Sequence, residues 1–411
     1  MTHATLWFDQ TVEDGATVWR GTLEGLGGPG AVRLSFHDAA LDDATLPTPA
    51  VLDQVAGAAL LHLQARGQDL AVRGPMSRLG LYNLGRLAEA RRCTSPHLYP
   101  RAIAVRPDTL RDEVPAALEP DAASLSFSGG LDSTFSAMRL GHRRAGAGAP
   151  RLGQLVITQG LDTRLDRPQE IARMVERARP LADAAGAPLA EVRTDAWSIT
   201  GAIWPQTATP VMAAALAMFA HRFPTGLIGG GLPYGIGRVG LGHPALFDQF
   251  STGASFRMTT DATGWTRARK LRWLFDYPET LPWLRVCVSG FEASGDSSSN
   301  CGRCAKCLDL WMVYRMLGVD DPPGFDRPVD PAMIRTLHAD DVFDARGFGM
   351  LYEDVVATGA TGQWVDDFTW RLAQVPPVFS LPRALGRAVR RFAPPSLRAA
   401  IRRRLPLALR P

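Results

Sequence analysis

Two groups of residues in this 411-residue chain have the types and spacing to do chemistry. The first is Ser126-Phe-Ser-Gly-Gly-Leu-Asp-Ser-Thr134, set between an apolar strand-like run and a helical one. Gly129 and Gly130 let backbone amides approach an anion, and Ser128 and Ser133 add hydroxyl donors. A helix beginning at this point would aim the positive end of its dipole at the same place. Together these features describe an oxyanion cradle. Asp132 would repel phosphate there unless it organises a magnesium ion or a backbone turn. A Gly-Gly turn with a serine helix cap is the plainer reading, but the whole pattern directly after a strand is much rarer than such a turn.

The second group is Cys287, followed after thirteen residues by Cys301-Gly-Arg-Cys304-Ala-Lys-Cys307. Four thiolates, three of them spaced by two residues, can close around one tetrahedral zinc ion. Trp311 stands where a bacterial ferredoxin run would place its next cysteine, although a four-cysteine iron–sulfur cluster that uses Cys287 is the alternative. A zinc ion with all four ligands from protein is closed, so it implies structure rather than catalysis. The fifth cysteine, Cys93, has arginine neighbours that could lower its pKa, but a partly buried, inert thiol is the favoured reading.

The elements that must position these groups fall into three regions. Residues 1–120 open with strand-like segments at 4–8, 16–23 and 31–36. A helix follows over 48–66, with Thr48 as its cap and Pro49 at its first position, and a second helix lies near 81–92. The prolines and acidic residues of 107–120 read as a linker. From 121 to 318 apolar strands (123–127, 154–158, 189–193, 225–228) alternate with helices (a run after Thr134 to about 144, 167–185 and 210–221). That alternation predicts an α/β fold with a parallel sheet covered on both faces. Residues 319–411 are Pro-rich and then Arg-rich, with short basic helices expected at 385–392 and 397–405.

The string Ser126–Thr134 resembles the signature of the PP-loop ATP pyrophosphatases, and lacks the lysine of the kinase-type phosphate loop. The resemblance implies an adenine nucleotide alpha hydrolase-like, doubly wound parallel sheet, ATP and Mg2+ as cofactors, and cleavage of ATP to AMP and pyrophosphate during adenylation of a substrate. On this reading Ser128, Gly129, Gly130, Leu131, Asp132, Ser133 and Thr134 hold the phosphates, while Thr158, Gln159 and Gly160 border the adenine. The cysteine set brings the chain closest to the 7-cyano-7-deazaguanine synthase-like, asparagine synthase-related group. Leu227–Gly231 with His243, Pro244 and Asp248 resembles that group's acceptor-facing strand and loop, and Thr266–Lys270 its Thr-Lys-Ala-Glu stretch. Here Arg267 replaces the lysine and Arg269 the glutamate, so Arg267 and Lys270 become the cations expected to neutralise developing charge. The resemblance spans about 121–318 and leaves both flanking regions without a counterpart. It therefore implies a divergent ligase that activates a small-molecule carboxylate or amide for attack by ammonia, an amine or sulfur. Thiolation of an RNA base and a non-catalytic nucleotide-binding module are the alternatives. Residue 2 is Thr, which argues against a cysteine-initiated glutaminase domain.

Composition sets the outer limits. Hydrophobic residues at 46% and charged residues at 21% exclude wholesale disorder. The most apolar helical run, 211–220, is too short to span a bilayer. With no signal-peptide pattern at the start, a cytoplasmic location is expected. The net charge of +4 is unevenly placed: nine arginines and no acidic residue lie between Arg383 and Pro411, leaving −5 on residues 1–382. That tail suits a protein partner or an anionic surface better than the acidic body suits nucleic acid. Only Lys270 and Lys306 among the 45 basic residues are lysines.

Overall fold

The structure, a computed structural model of the chain, describes residues 3–26, 32–38, 46–161, 163–196, 204–231, 245–287, 298–336 and 351–374. Its centre is a parallel sheet built from β6 (Ala122–Ser126), β7 (Arg151–Gln159), β8 (Leu189–Thr194), β9 (Thr225–Gly229) and β10 (Arg257–Asp261). These strands alternate their side chains between two cores. Leu155 and Ile157 of β7 enter one core, while Val156 enters the other. Both faces are therefore apolar and both must be covered, which is why these strands read as continuous hydrophobic runs. On one face lie α3 (Leu131–Gly141), α4 (Pro168–Ala185), α6 (Arg267–Leu274) and α7 (Ala305–Met316). The other face carries α5 (Trp204–Ala217), together with α1 (Asp53–Ala65) and α2 (Arg78–Thr94) from the N-terminal region. The chain is thus an α/β protein with helices on both faces of a mostly parallel sheet.

Strand order fixes where a ligand could sit. In the parallel part it is β10-β9-β6-β7-β8. The chain runs outward from β6 through β7 to β8, then returns to lay β9 on the opposite side of β6. The strand order therefore reverses between β6 and β9: β6 leads into α3 on one face, while α5, which leads into β9, covers the other. In open α/β sheets the crevice that takes a ligand lies at such a switch point.

The strands of the N-terminal region extend this same sheet. β1 (His3–Glu13), β2 (Ala16–Glu24), β3 (Val32–Asp38), β4 (Asp69–Met76) and β5 (Val105–Leu110) continue it in the order β3-β2-β1-β4-β5, for ten strands in all among the described residues. The joint is the antiparallel pairing of β3 with β8, Phe36 opposite Thr194. A second joint is buried: Asp53 accepts from the Ser77 amide (2.9 Å), the Ser77 hydroxyl (2.6 Å) and the Ala254 amide (3.3 Å). It ties α1 and the start of α2 to the segment before β10. Burial pushes the Asp53 carboxyl up, against the pull of those hydrogen bonds.

Several boundaries differ from the sequence reading for identifiable reasons. The first long helix begins at Asp53 rather than beside Thr48, because the Leu52 amide is bonded to the Pro75 carbonyl of β4 and Val51 and Leu52 are buried. α2 begins at Arg78, where the Ser77 hydroxyl accepts from the Gly80 amide (2.8 Å). The expected linker contributes β5, an edge strand, where Pro107 is tolerated. β10, with the polar sequence Arg-Met-Thr-Thr-Asp, buries only Met258 deeply and carries almost no strand pattern. The helices expected at 385–392 and 397–405 lie outside the described residues. No helix among the described residues is long and apolar enough to cross a membrane.

Replacing Asp53 with Ala strands the amide and hydroxyl donors of Ser77 in the interior, while the Ala254 amide keeps its bond to Ser77 Oγ (3.1 Å). The variant is expected to lose about 3 kcal/mol of unfolding free energy in urea titration, with the fold retained.

Candidate functional site

The serine–glycine string occupies the turn between β6 and α3, at the mouth of the crevice. Gly129 has φ +69°, a left-handed conformation that a side chain would strain. Within the turn, Ser128 Oγ lies 3.3 Å from Ser133 Oγ and accepts from the Gly130 amide (3.3 Å), while Ser133 Oγ donates to the Gly130 carbonyl (3.2 Å). Gly130 is the N-cap of α3, and no side chain caps the helix. Its first amides therefore face the crevice mouth with the positive end of the dipole behind them.

The turn is held from both sides. Below it, the Arg285 amide donates to the Gly129 carbonyl (2.8 Å). Beside it, β9 arrives so closely that a Cβ on Gly229 would lie 2.6 Å from the Asp132 carbonyl oxygen, so only glycine fits. Lys270, fully buried on α6, closes the arrangement: its ammonium donates to Asp132 Oδ1 (2.7 Å) and to the Gly230 carbonyl. One side chain thus pins the loop after β6 to the loop after β9.

A line of alternating charge runs outward from this bond. Arg267, one turn before Lys270, lies 3.7 Å from Asp132 Oδ2 and also pairs with Asp309 on α7. Desolvation pushes the Asp132 carboxyl up, but Lys270, then Arg267, and also Lys306 outweigh it and hold the group below its ordinary value of 3.8.

The four cysteines of the second group meet. Their sulfurs all lie within 4.8 Å of one another, with Cys287 to Cys304 at 3.8 Å and Cys301 to Cys307 at 3.9 Å. Cys304 is the N-cap of α7 and Cys307 lies in its first turn. Hydrogen bonds from the other three thiols, Cys287 first, drive Cys301 far down, while the same contacts drive Cys304 and Cys307 up. Without a cation the cluster thus favours a single thiolate shared among neutral thiols; four sulfurs gathered this closely can bind a metal ion, which would let the rest ionise.

The other sequence candidates fare unevenly. Gln159 is committed to neighbours, donating to Glu191 (2.7 Å) and accepting from Arg193 (3.2 Å). Thr158 Oγ1 and Thr134 Oγ1 are buried with no hydrogen-bond partner among the described residues, and Gly160 has φ +90°. Asp248 is buried and accepts from Thr209 and Thr260, so it does not face a crevice. His243 and Pro244 lie outside the described residues. Cys93 is exposed, not partly buried, because it falls off the face of α2 that carries Leu84, Leu87 and Arg91 inward. Sequence reasoning did not find Arg285 or Asp309, and it took Gly229 as part of the acceptor-facing stretch 227–231 rather than as a contact of the phosphate turn. Only Lys306 had left a signal, as one of two lysines. The chain matches no known protein-family model, no curated protein and no solved structure.

A depressed carboxylate stabilises the fold above its ordinary pKa, and that contribution is lost as pH falls through the depressed value. Lys270→Met leaves Asp132 charged without its closest partner. It is expected to cost about 3 kcal/mol at pH 7, a gap that narrows as acid protonates the stranded carboxylate. Denaturant unfolding of both proteins across pH 3–7 reads the difference.

Proposed function

We propose that the chain is an AMP-forming, ATP-dependent ligase of the PP-loop ATP pyrophosphatase type. The observation that carries this reading is the placement of Ser128–Ser133 at the crevice between β6 and β9, on an uncapped helix start. Triphosphate chemistry suits the cradle. A Cβ on Gly130 would come within 3.2 Å of Ser128 Oγ and 3.3 Å of the Arg285 carbonyl, so a side chain there would crowd the turn that carries the donors. Thr158 Oγ1, buried at the end of β7 without a partner among the described residues, offers a polar contact to the nucleoside.

In this reading the first amides of α3 and the hydroxyls of Ser128 and Ser133 bind the β- and γ-phosphates of ATP. Asp132 Oδ2, the oxygen that Lys270 leaves unbonded, would hold magnesium. The ion, when bound, supplies charge neutralisation for the departing pyrophosphate. Arg267, partly exposed, faces the same developing charge, whereas the fully buried Lys270 acts as a positioning residue through Asp132. An acceptor oxygen bonds to the α-phosphorus as the bond to the β-phosphate oxygen breaks. A nitrogen or sulfur nucleophile then displaces AMP from the activated acceptor. Action on RNA has one structural observation of its own. His142 stacks on Tyr277, Arg144 covers Trp273 and Arg269 covers Trp265, an arginine–aromatic surface assembled from separate segments.

For the thiolates we propose zinc. A tetrahedral ion with zinc–sulfur bonds of about 2.3 Å sets sulfurs about 3.8 Å apart, close to the 3.8 and 3.9 Å separations of the cluster. A four-iron cluster binds each thiolate to a different iron and spreads them further.

The function is tested with purified protein, ATP, magnesium, ammonia and a panel of carboxylates, deazapurine acids and RNA, read by mass spectrometry. AMP and pyrophosphate are expected from the wild-type chain, with Ser128→Ala and Asp132→Asn losing more than about 100-fold in rate. ADP and phosphate as products would refute the reading. Elemental analysis is expected to find zinc in the wild type and little in Cys304→Ser, which should also unfold or aggregate.

A further inference from the structure

The thiolate cluster touches the phosphate loop through both of its arms. Its first arm runs through Arg285, whose amide holds the Gly129 carbonyl, to Cys287 two residues later. Its second arm is the start of α7, where Cys304, Lys306, Cys307 and Asp309 follow one another and Asp309 grips Arg267. The cations near Asp132 are not equivalent. Lys270 is fully buried and spent on Asp132 and Gly230, and Arg267 is shared between Asp132 and Asp309. Lys306 is half-buried and, among the described residues, forms no ion pair; it stands three residues before Asp309 on α7, the spacing that puts both side chains on one helix face, the face from which Asp309 meets Arg267. A metal bound by Cys304 and Cys307 would fix the backbone of Lys306 on both sides.

We propose that Lys306 is the third cation of this site, a diphosphate-binding residue held toward the Ser128–Ser133 loop by the metal ligands that flank it. This rests on the ligase reading and gives the thiolate site a task in it. A closed metal site that takes no part in bond making would set where the charge for the leaving group stands.

The test is titration calorimetry of inorganic pyrophosphate into the full-length wild type, Lys306→Met and Lys306→Arg, at low and high salt, with metal content measured on each preparation. Lys306→Met is expected to bind pyrophosphate at least about tenfold more weakly at low salt, with a shallower salt dependence and unchanged metal content. Lys306→Arg, which keeps the charge, should stay within about threefold of wild type. Wild-type affinity in Lys306→Met overturns the proposal and leaves the ligase reading standing. Loss of metal from Lys306→Met, or no recovery with arginine, also overturns it, because Lys306 would then serve the thiolate fold. A wild-type chain that binds neither pyrophosphate nor ATP overturns the ligase reading itself.

Discussion

The arrangement at the crevice depends on one buried bond, from the Lys270 ammonium to Asp132 and the Gly230 carbonyl. Taking a lysine wholly out of water is costly, and the cost is met only because a carboxylate and a carbonyl both face it. Those two partners follow adjacent strands, so satisfying the charge also sets the width of the gap between them. Gly229 sets the same limit sterically: a single methyl there would meet the main chain of Asp132. Electrostatics and packing therefore specify one geometry for the turn.

Around this centre the charges form a ladder of Lys270, Asp132, Arg267 and Asp309, passing from α6 to α7. Each rung is partly or wholly shielded, so the pairs are screened less by salt than surface pairs would be. The ladder ends beside the cysteines. A metal ion there would fix the start of α7 and, through Asp309, the orientation of Arg267. Two sites that look independent along the chain are mechanically continuous in space.

Much of the parallel half was legible in the sequence because its strands are buried on both faces and its helices carry clear apolar stripes, such as Ile171, Met174, Val175 and Ala178 of α4. The cysteine cluster was legible because short spacing forces sulfurs together whatever the rest of the chain does. What escaped was set by distant partners. The start of α1 depends on a bond to Pro75, β5 and β10 are edge strands with little apolar content, and Arg285 meets the turn with its amide on the Gly129 carbonyl and its guanidinium on the Ser128 carbonyl (3.4 Å), 157 positions away, which no local pattern reveals. The seam of β3 with β8 joins positions more than 150 residues apart and has no local signature.

The tie between Asp53 and Ala254 has a consequence for biosynthesis. Its donors and acceptor are separated by up to 201 positions. A nascent chain emerging from the ribosome presents α1 and the first strands long before residue 254 exists. Until that residue arrives, the carboxylate at position 53 lacks one of its three donors. The free side of β3 waits for a different event, the synthesis of β8, and until Thr194 is made that edge is open to any other strand.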